Sequence, residues 1–273
     1  MKENIEKWKL LEDEFVFDIM NNGLKLKFID INKAQSNLVT NITERSFNKA
    51  RSIVIEECIT EFINLGLVSE IDSNRKIFPN HVFVVFSELR TKNRLILDMK
   101  DLNKNIVSEK FSMWNIEKLI PFISMASFAG VIDISKAYCH IPMHQSTKDY
   151  LAFSFNGRKF SYNCMPFGLK TAPFYFTRVL KPVLGFLRKM FGIQIFAYLD
   201  DLLILGNTME QTTIDLATTK SFLQFLGFKL NPKSTEVPLD LFTYLGVQFD
   251  LKNKTVFNTD ENAKKVQNKI SEL

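Results

Sequence analysis

The chain has 273 residues, of which 46% are hydrophobic and 24% are charged. This composition excludes an intrinsically disordered chain, because it provides enough apolar side chains for one large core or two small ones. The formal net charge of +5 is compatible with a polyanionic partner, but it is too small to indicate a dedicated nucleic-acid-binding domain.

The first third of the chain predicts an extension, a helix and a hairpin. Residues 1–45 are polar and rich in Asn and Lys, which indicates an N-terminal extension laid over the body of the protein. From about 44 to 65, apolar residues repeat at helical spacing before Gly66, which predicts an amphipathic helix. The segments 81–86 and 94–99 predict two strands joined by a polar, basic turn.

The middle of the chain predicts a buried strand followed by a long helix. The short apolar run at 131–135 is typical of a strand buried on both faces, and it places Asp133 near the strand's end. A helix is predicted over 173–191, with Pro173 in its first turn and a bend at Pro182.

The last part of the chain completes the predicted sheet. A second helix is predicted over 212–226, ended by Gly227, and strands are predicted around Gly246 within 242–250. Across 130–250, the order strand, helix, strand, strand, helix, strand predicts an α+β fold. Its sheet would be a ferredoxin-like, split βαβ antiparallel sheet with helices on one face.

Two adjacent aspartates lie between the apolar segments QIFAY and LLILG, which predicts two strands meeting at an acidic turn. Asp200 and Asp201 are unusual hairpin residues, because no Gly follows them. Their mutual repulsion would be relieved by divalent cations shared with a third carboxylate, such as Asp133. Oxygen-only ligands favour two Mg²⁺ or Mn²⁺ ions and phosphoryl-transfer chemistry. For the pair alone, a solvated acidic turn is the more frequent explanation.

The cysteines and histidines do not predict a metal site. Cys58, Cys139 and Cys164 are far apart without CxxC pairing, which indicates reduced thiols in or near the core. His140 and His144 have the spacing of a helical zinc pair, but the proline between them predicts strand and turn, so we exclude zinc.

The location predicted from the sequence is intracellular, either cytoplasmic or nuclear. The N-terminus mixes both signs of charge and lacks the apolar core of a secretory signal. The apolar stretch FGIQIFAYL is interrupted by Asp200 and Asp201, so no run of roughly 18 apolar residues is available to cross a membrane. We expect a soluble protein that has no membrane partner.

Six segments resemble, in order, the motifs of reverse transcriptases. AYLDDLLILG resembles the family's YxDD signature, and VIDISKAYCHIPM resembles its aspartate motif. MPFGLKTAP resembles the template- and nucleotide-binding motif, and RLILDMKDLN resembles the fingers motif. LNPKS and YLGV resemble the two later palm motifs. Within the family, the chain is most similar to DIRS-like and gypsy-like retroelements.

The resemblance implies the fingers and palm of a right-hand polymerase. The implied activity is RNA-directed, and also DNA-directed, DNA synthesis from deoxynucleoside triphosphates onto a primer 3′-OH, with two Mg²⁺ or Mn²⁺ ions. The implied partners are an RNA or DNA template with its primer, and further polyprotein domains such as RNase H, integrase or recombinase. The implied boundaries are an N-terminal extension at 1–45, fingers at about 46–128 and 146–172, palm at about 129–145 and 173–258, and the start of a thumb at 259–273.

The catalytic roles follow from the same motif correspondence. Asp133, Asp200 and Asp201 would hold the metal ions, and the backbone oxygen of Ile134 would face one of them. Lys233 would protonate the leaving pyrophosphate.

Further motif positions correspond to substrate contacts. Arg94 and Arg90 would bind the triphosphate, because a guanidinium suits phosphate oxygens. Tyr138 would be a steric gate that excludes a 2′-OH. Phe167 and Gly168 would line the nucleotide site, where a glycine allows close backbone approach.

The remaining motif positions correspond to template and primer contacts. Lys170 would touch template phosphate. Tyr244, Leu245 and Gly246 would hold the primer 3′ end.

Two alternatives stay open at this point. An RNA-dependent RNA polymerase would share the palm, but Tyr138 and the MPFGLKTAP segment argue against it. A degenerate, non-catalytic nucleic-acid-binding scaffold is supported by Ser87, which stands where the family carries a lysine. The three intact aspartates argue against such decay.

Overall fold

The computed structural model describes residues 2–85, 94–113 and 116–258. The helices in these ranges are α1 (Glu14–Asn22), α2 (Ile31–Ser36), α3 (Lys49–Asn64), α4 (Lys100–Asn105), α5 (Ile116–Met125), α6 (Ala172–Phe191) and α7 (Met209–Phe225). The strands are β1 (Val68–Ile71), β2 (His81–Val85), β3 (Arg94–Asp98), β4 (Phe128–Asp133), β5 (Ala152–Phe155), β6 (Arg158–Tyr162), β7 (Gln194–Tyr198), β8 (Asp201–Gly206), β9 (Leu241–Tyr244), β10 (Val247–Asp250) and β11 (Thr255–Asn258). Short 3₁₀ segments lie at Lys2–Leu11, Ala137–His140 and Gln145–Leu151. None of the described helices is long and apolar enough to cross a membrane.

The predicted hairpin at 81–99 is confirmed. Strands β2 and β3 pair antiparallel, with His81 opposite Asp98 and Val85 opposite Arg94. The tip of this hairpin, which includes Ser87 and Arg90, lies outside the described residues. Strands β1, β6 and β5 form a second antiparallel sheet in that order.

Capping residues set helix starts that periodicity placed only approximately. Helix α3 begins at Lys49 rather than near 44, because the Asn48 side chain accepts a hydrogen bond from the N–H of Arg51. Glu44 instead accepts from the N–H of Gly157 at 3.0 Å. Helix α7 begins at Met209, three residues before the predicted start, because Thr208 caps it in the same way.

The central sheet has the order β4-β8-β7, with β8 antiparallel to both of its neighbours. Strands β4 and β7 are therefore parallel and joined through α6, which is the predicted split βαβ arrangement. Strand residues alternate between two cores. Ile132, Ile195 and Ile204 pack in the main core with α6 and α7. Phe196 and Leu203 face a second, smaller core.

The prediction that strands within 242–250 complete this sheet is wrong. Strands β9 and β10 pair with β11 in a separate antiparallel sheet. Phe242, Tyr244 and Phe249 from that sheet, together with α5, cover the second face of the central sheet. The central sheet is therefore a middle layer, with α6 and α7 on one face and a sheet plus a helix on the other.

An irregular edge segment, residues 229–239, takes the place of the fourth strand beside β4. It forms isolated bridges at its two ends, where Leu230 pairs with Ile134 and Leu239 pairs with Ala129. Between these bridges, the N–H of Asp133 donates to the Ser234 hydroxyl at 3.1 Å and the N–H of Val131 donates to the Thr235 hydroxyl at 2.9 Å. The edge of β4 is instead satisfied partly by side chains of the edge segment.

The N-terminal residues contribute to the main core. The Trp8 side chain is buried, and its indole N–H donates to the carbonyl of Leu226 at 3.2 Å. Asp13 caps α1 and forms an ion pair with Arg178 of α6 at 2.7 Å. These contacts attach the segment to both helices that cover the central sheet.

Gly168 brings the loop after β6 against the β2–β3 hairpin. Its φ is +108°, and a Cβ at this position would lie 2.3 Å from the carbonyl oxygen of Leu97 on β3. From the sequence, we expected Gly168 to let the backbone come close to a bound nucleotide. In the structure, the atom that needs the space is in the protein's own backbone.

We expect Gly168→Ala to lower the free energy of unfolding by about 3 kcal/mol or more, because it combines backbone strain with a steric clash. Gly157→Ala is the matched control, since Gly157 also has a positive φ, of +73°, but has nothing within 4 Å of its Cβ position. That control should cost only about 1 kcal/mol. Urea unfolding followed by circular dichroism measures both losses. Equal losses would contradict the packing described for Gly168.

The buried His140 side chain forms a hydrogen bond with the edge segment. Its segment was predicted as strand and turn but begins as a 3₁₀ turn, Ala137–His140. The ring Nε2 accepts from the N–H of Lys229 at 3.0 Å, and Nδ1 lies 3.1 Å from the carbonyl of Ala137. These two bonds require a neutral ring with its proton on Nδ1. Burial lowers the pKa of His140 to about 4.

The low pKa of His140 predicts an acid-sensitive stability. An unfolded histidine titrates near pH ~6.5, so between that value and about pH 4 the unfolded state binds more protons. The contribution is complete above pH ~6.5 and is lost as the pH falls towards 4, by up to about 3 kcal/mol. In His140→Gln, urea unfolding near pH 7 and near pH 5 should show a smaller difference than in the wild type. An unchanged difference would refute this role of His140.

Candidate active site

The three predicted aspartates lie at one end of the central sheet. Asp133 is the last residue of β4 and Asp201 is the first residue of β8, and the two are direct partners across the strand pair. Asp200 lies in the turn that precedes Asp201. The N–H of Ile134 donates to the carbonyl of Asp200 at 2.9 Å, which ties the turn to the end of β4.

The turn between β7 and β8 is tight and strained. Tyr198 and Asp201 pair across it, so Leu199 and Asp200 form a two-residue connection. Leu199 has a φ of +54°. A non-glycine residue rarely adopts this conformation, and such strain is often found at functional sites. Leu199 therefore takes the conformation that a turn glycine would usually supply.

The carboxylates have the donor chemistry of a hard-cation site. They offer oxygen alone, which suits Mg²⁺ or Mn²⁺. Within the described ranges, no three side chains of His, Cys, Asp or Glu are gathered closely enough to hold a metal ion. The backbone thus gathers the three aspartates, while the carboxylate of Asp133 is hydrogen-bonded to Asn231. The residues fit a divalent ion in donor type, and the β4–β8 pairing brings their backbones to one end of the sheet.

Three aromatic side chains pack together beside the turn that carries Asp200. Tyr138 lies in the 3₁₀ turn that follows Asp133, and its ring centroid is 5.1 Å from that of Phe167 and 5.8 Å from that of Phe176. Burial and the negative charge of Asp200 raise the pKa of Tyr138 to about 12. The structure therefore brings together Tyr138, Phe167 and Asp200, which are far apart in the sequence.

Asn103 was not singled out from the sequence. Its side-chain amide donates to the carbonyl of Gly168 at 2.8 Å and accepts from the N–H of Lys170 at 2.9 Å. Asn103 is the last residue of the RLILDMKDLN segment, and this membership was the one available signal. Asn103 therefore joins α4 to the loop that carries Phe167. The Lys170 side chain is exposed, and its template contact stays a prediction.

The structure describes only part of the two residues that are predicted to bind the triphosphate. Arg94 is the first residue of β3, opposite Val85 and next to the hairpin tip. Its side chain and the whole of Arg90 lie outside the described residues. Because Leu97 on the same strand contacts Gly168, the strand that carries Arg94 packs against the loop after β6.

The Tyr244 side chain lies in the second core, and the contact of Tyr244, Leu245 and Gly246 with the primer end stays a prediction. The side chain is 2% exposed, and its hydroxyl donates to the carbonyl of Asp201 at 3.0 Å. Burial and the charge of Asp201 raise the pKa of Tyr244 above its ordinary range. Tyr244 therefore supports the acidic turn from the second core. Leu245 and Gly246 form the adjoining turn with φ values of 51° and 77°, and they are partly exposed.

Lys233 and Asn231 lie together in the edge segment. Lys233 is exposed, and its N–H donates to the side-chain oxygen of Asn231 at 3.1 Å. The side-chain nitrogen of Asn231 donates to Asp133 Oδ2 at 2.6 Å. Asn231 was not among the residues predicted from the sequence, although it lies in the LNPKS segment.

The chain is similar to known proteins. The family model for reverse transcriptase (RNA-dependent DNA polymerase) matches residues 84–249. The putative enzymatic polyprotein of Cassava vein mosaic virus is 27% identical over 200 residues, covering 70% of this chain and 29% of that protein. The retrovirus-related Pol polyprotein from transposon gypsy of Drosophila melanogaster is 26% identical over 153 residues, covering 56% of this chain and 14% of that protein.

A solved structure shares the fold. The foamy viral protease-reverse transcriptase in complex with double-stranded DNA matches with a TM-score of 0.70 and 18% identity, covering 92% of this chain and 40% of that one. The predicted fold class and the similarity to gypsy-like retroelements are confirmed. Since the family model matches more than half of its residues, the chain belongs to the reverse transcriptase (RNA-dependent DNA polymerase) family.

Proposed function

We propose that this chain catalyses template-directed transfer of deoxynucleotides to a primer 3′-OH, on RNA and also on DNA templates. The observation that carries the proposal is the pairing of Asp133 with Asp201, with Asp200 in the adjoining turn and Tyr138 beside it. Family membership gives independent support.

Divalent metal ions are general cofactors of reverse transcriptases. Asp133, Asp200 and Asp201 would hold two Mg²⁺ or Mn²⁺ ions, and the backbone oxygen of Ile134 would face one of them. When bound, such ions activate the attacking hydroxyl and stabilise the leaving pyrophosphate. The chain's own contribution is to keep the carboxylates at one end of the sheet through the β4–β8 pairing and the Tyr244 hydroxyl.

Tyr138 would select the sugar of the incoming nucleotide. Its ring packs against Phe167 and Phe176, so it cannot turn away without losing both contacts. A fixed ring at the sugar position excludes a 2′-OH and favours deoxynucleotides. Phe167 and Gly168 would line the same site, and Arg94 and Arg90 would bind the triphosphate.

The remaining contacts would position nucleic acid and the leaving group. Lys233 lies in the turn that contacts Asp133, so we assign it to protonate the pyrophosphate. Lys170 would contact the template backbone, and the turn at Leu245 and Gly246 would hold the primer end.

The proposed setting is a longer polyprotein. The curated relatives are polyproteins of which the chain spans less than a third. The solved foamy viral relative is in complex with double-stranded DNA. We propose the domain boundaries given above, a thumb that begins in 259–273, and RNase H, integrase or recombinase as neighbouring domains.

Primer extension on an RNA template tests this function. With deoxynucleotides and Mg²⁺ or Mn²⁺, the wild type should extend the primer, and Asp200→Asn should reduce the rate by about 10³-fold or more. Asp18→Asn is the matched control, because Asp18 is an exposed carboxylate on α1, and it should retain the rate. Absence of metal-dependent product from the wild type would contradict the proposal. Preferred use of ribonucleotides would indicate an RNA polymerase instead.

A further inference from the structure

We propose that Asn231 is a positioning residue that orients the Asp133 carboxylate for metal binding. This inference rests on the proposed function, because it concerns one of the three proposed metal ligands. Asn231 lies in the edge segment, 98 residues from Asp133 in sequence. The two are brought together where the edge segment meets the end of β4.

Asn231 contacts Asp133 through both its side chain and its backbone. The side-chain nitrogen donates to Asp133 Oδ2 at 2.6 Å, and the backbone N–H donates to the Asp133 carbonyl at 2.8 Å. A carboxylate that is held at one oxygen by a directed donor loses rotational freedom. The bond holds Oδ2, and Oδ1 would then be the oxygen that binds a cation.

The orientation of the Asn231 amide is itself determined. Its side-chain oxygen accepts from the N–H of Lys233 at 3.1 Å, so the amide cannot be flipped without facing two donors towards each other. Ser234 closes the turn, because its hydroxyl donates to the Asn231 carbonyl at 2.7 Å and lies 3.1 Å from the Asp133 backbone nitrogen, from which it accepts. The donor is thus preorganised before any ligand arrives.

A neutral amide suits this position electrostatically. A carboxylate in place of Asn231 would be the fourth at this site and would add repulsion. A lysine in the same place would compete with a cation for the carboxylate oxygens. An amide N–H donates to the Asp133 carboxylate and adds no net charge. Groups that hydrogen-bond to metal ligands in this way typically change metal affinity by about 10–100-fold when they are removed.

Manganese binding tests the inference without relying on catalysis. We expect Asn231→Ala to weaken Mn²⁺ binding by about 10–100-fold, measured from the electron paramagnetic resonance signal of free Mn²⁺. Asn231→Ser provides a second variant, because its hydroxyl can still accept from the Lys233 N–H and keep the turn but is too short to reach Asp133. It should retain the wild-type thermal unfolding midpoint and show the same loss of affinity.

The matched control is Asn253→Ala. Asn253 forms an equivalent pair with Asp250, with its side-chain nitrogen donating to Asp250 Oδ2 at 2.8 Å, in the turn between β10 and β11. This variant should bind Mn²⁺ with wild-type affinity. Comparison of the three variants shows whether Mn²⁺ affinity depends on the Asn231–Asp133 bond in particular or falls when any Asn–Asp bond is lost.

Asp133→Asn separates failure of the inference from failure of the proposed function. If Asp133→Asn abolishes Mn²⁺ binding while folded Asn231→Ser binds like the wild type, the positioning role is overturned and the proposed metal site stands. If the wild type and Asp133→Asn bind Mn²⁺ equally, the proposed metal site itself fails.

Discussion

The pairing of β4 with β8 is the constraint on which the acidic site depends. It places the last residue of one strand, Asp133, opposite the first residue of the other, Asp201. A shift of one residue in this register would turn one of these side chains to the opposite face of the sheet. The register is protected because alternating residues of β8 enter two different cores, so a shift would place apolar side chains of each core on the wrong face.

Three independent elements stabilise the end of this strand pair. The Tyr244 hydroxyl binds the Asp201 carbonyl from the second core, the N–H of Ile134, the residue after β4, binds the Asp200 carbonyl, and Asn231 binds Asp133 from the edge segment. Mutual repulsion among carboxylates opposes this arrangement. The surrounding structure keeps the three aspartates together at the backbone level, and a divalent cation would supply the remaining stabilisation.

Local patterns predicted much of the fold and the identity of the acidic residues. Helix α6 and the β2–β3 hairpin follow from periodicity and turn composition, and Asp133, Asp200 and Asp201 follow from motifs. Contacts between distant segments were not predictable in this way. Nothing near Tyr244 in the sequence indicates that its hydroxyl reaches Asp201, and nothing near Asn231 indicates Asp133, because both bonds depend on how layers stack. Motif matching likewise did not indicate the contacts that Tyr244 and Gly168 make within the protein, since a motif preserves position without stating what each residue touches.

The central claim is that the backbone gathers three aspartates at one end of the sheet, where we propose that they bind divalent ions. Anomalous scattering from a crystal soaked in Mn²⁺ tests it most directly. The account predicts Mn²⁺ density bound by carboxylate oxygens of Asp133 and Asp200 at about 2.1 Å, with Asn231 still bonded to Asp133 Oδ2. Mn²⁺ bound only at sites away from these aspartates would contradict it.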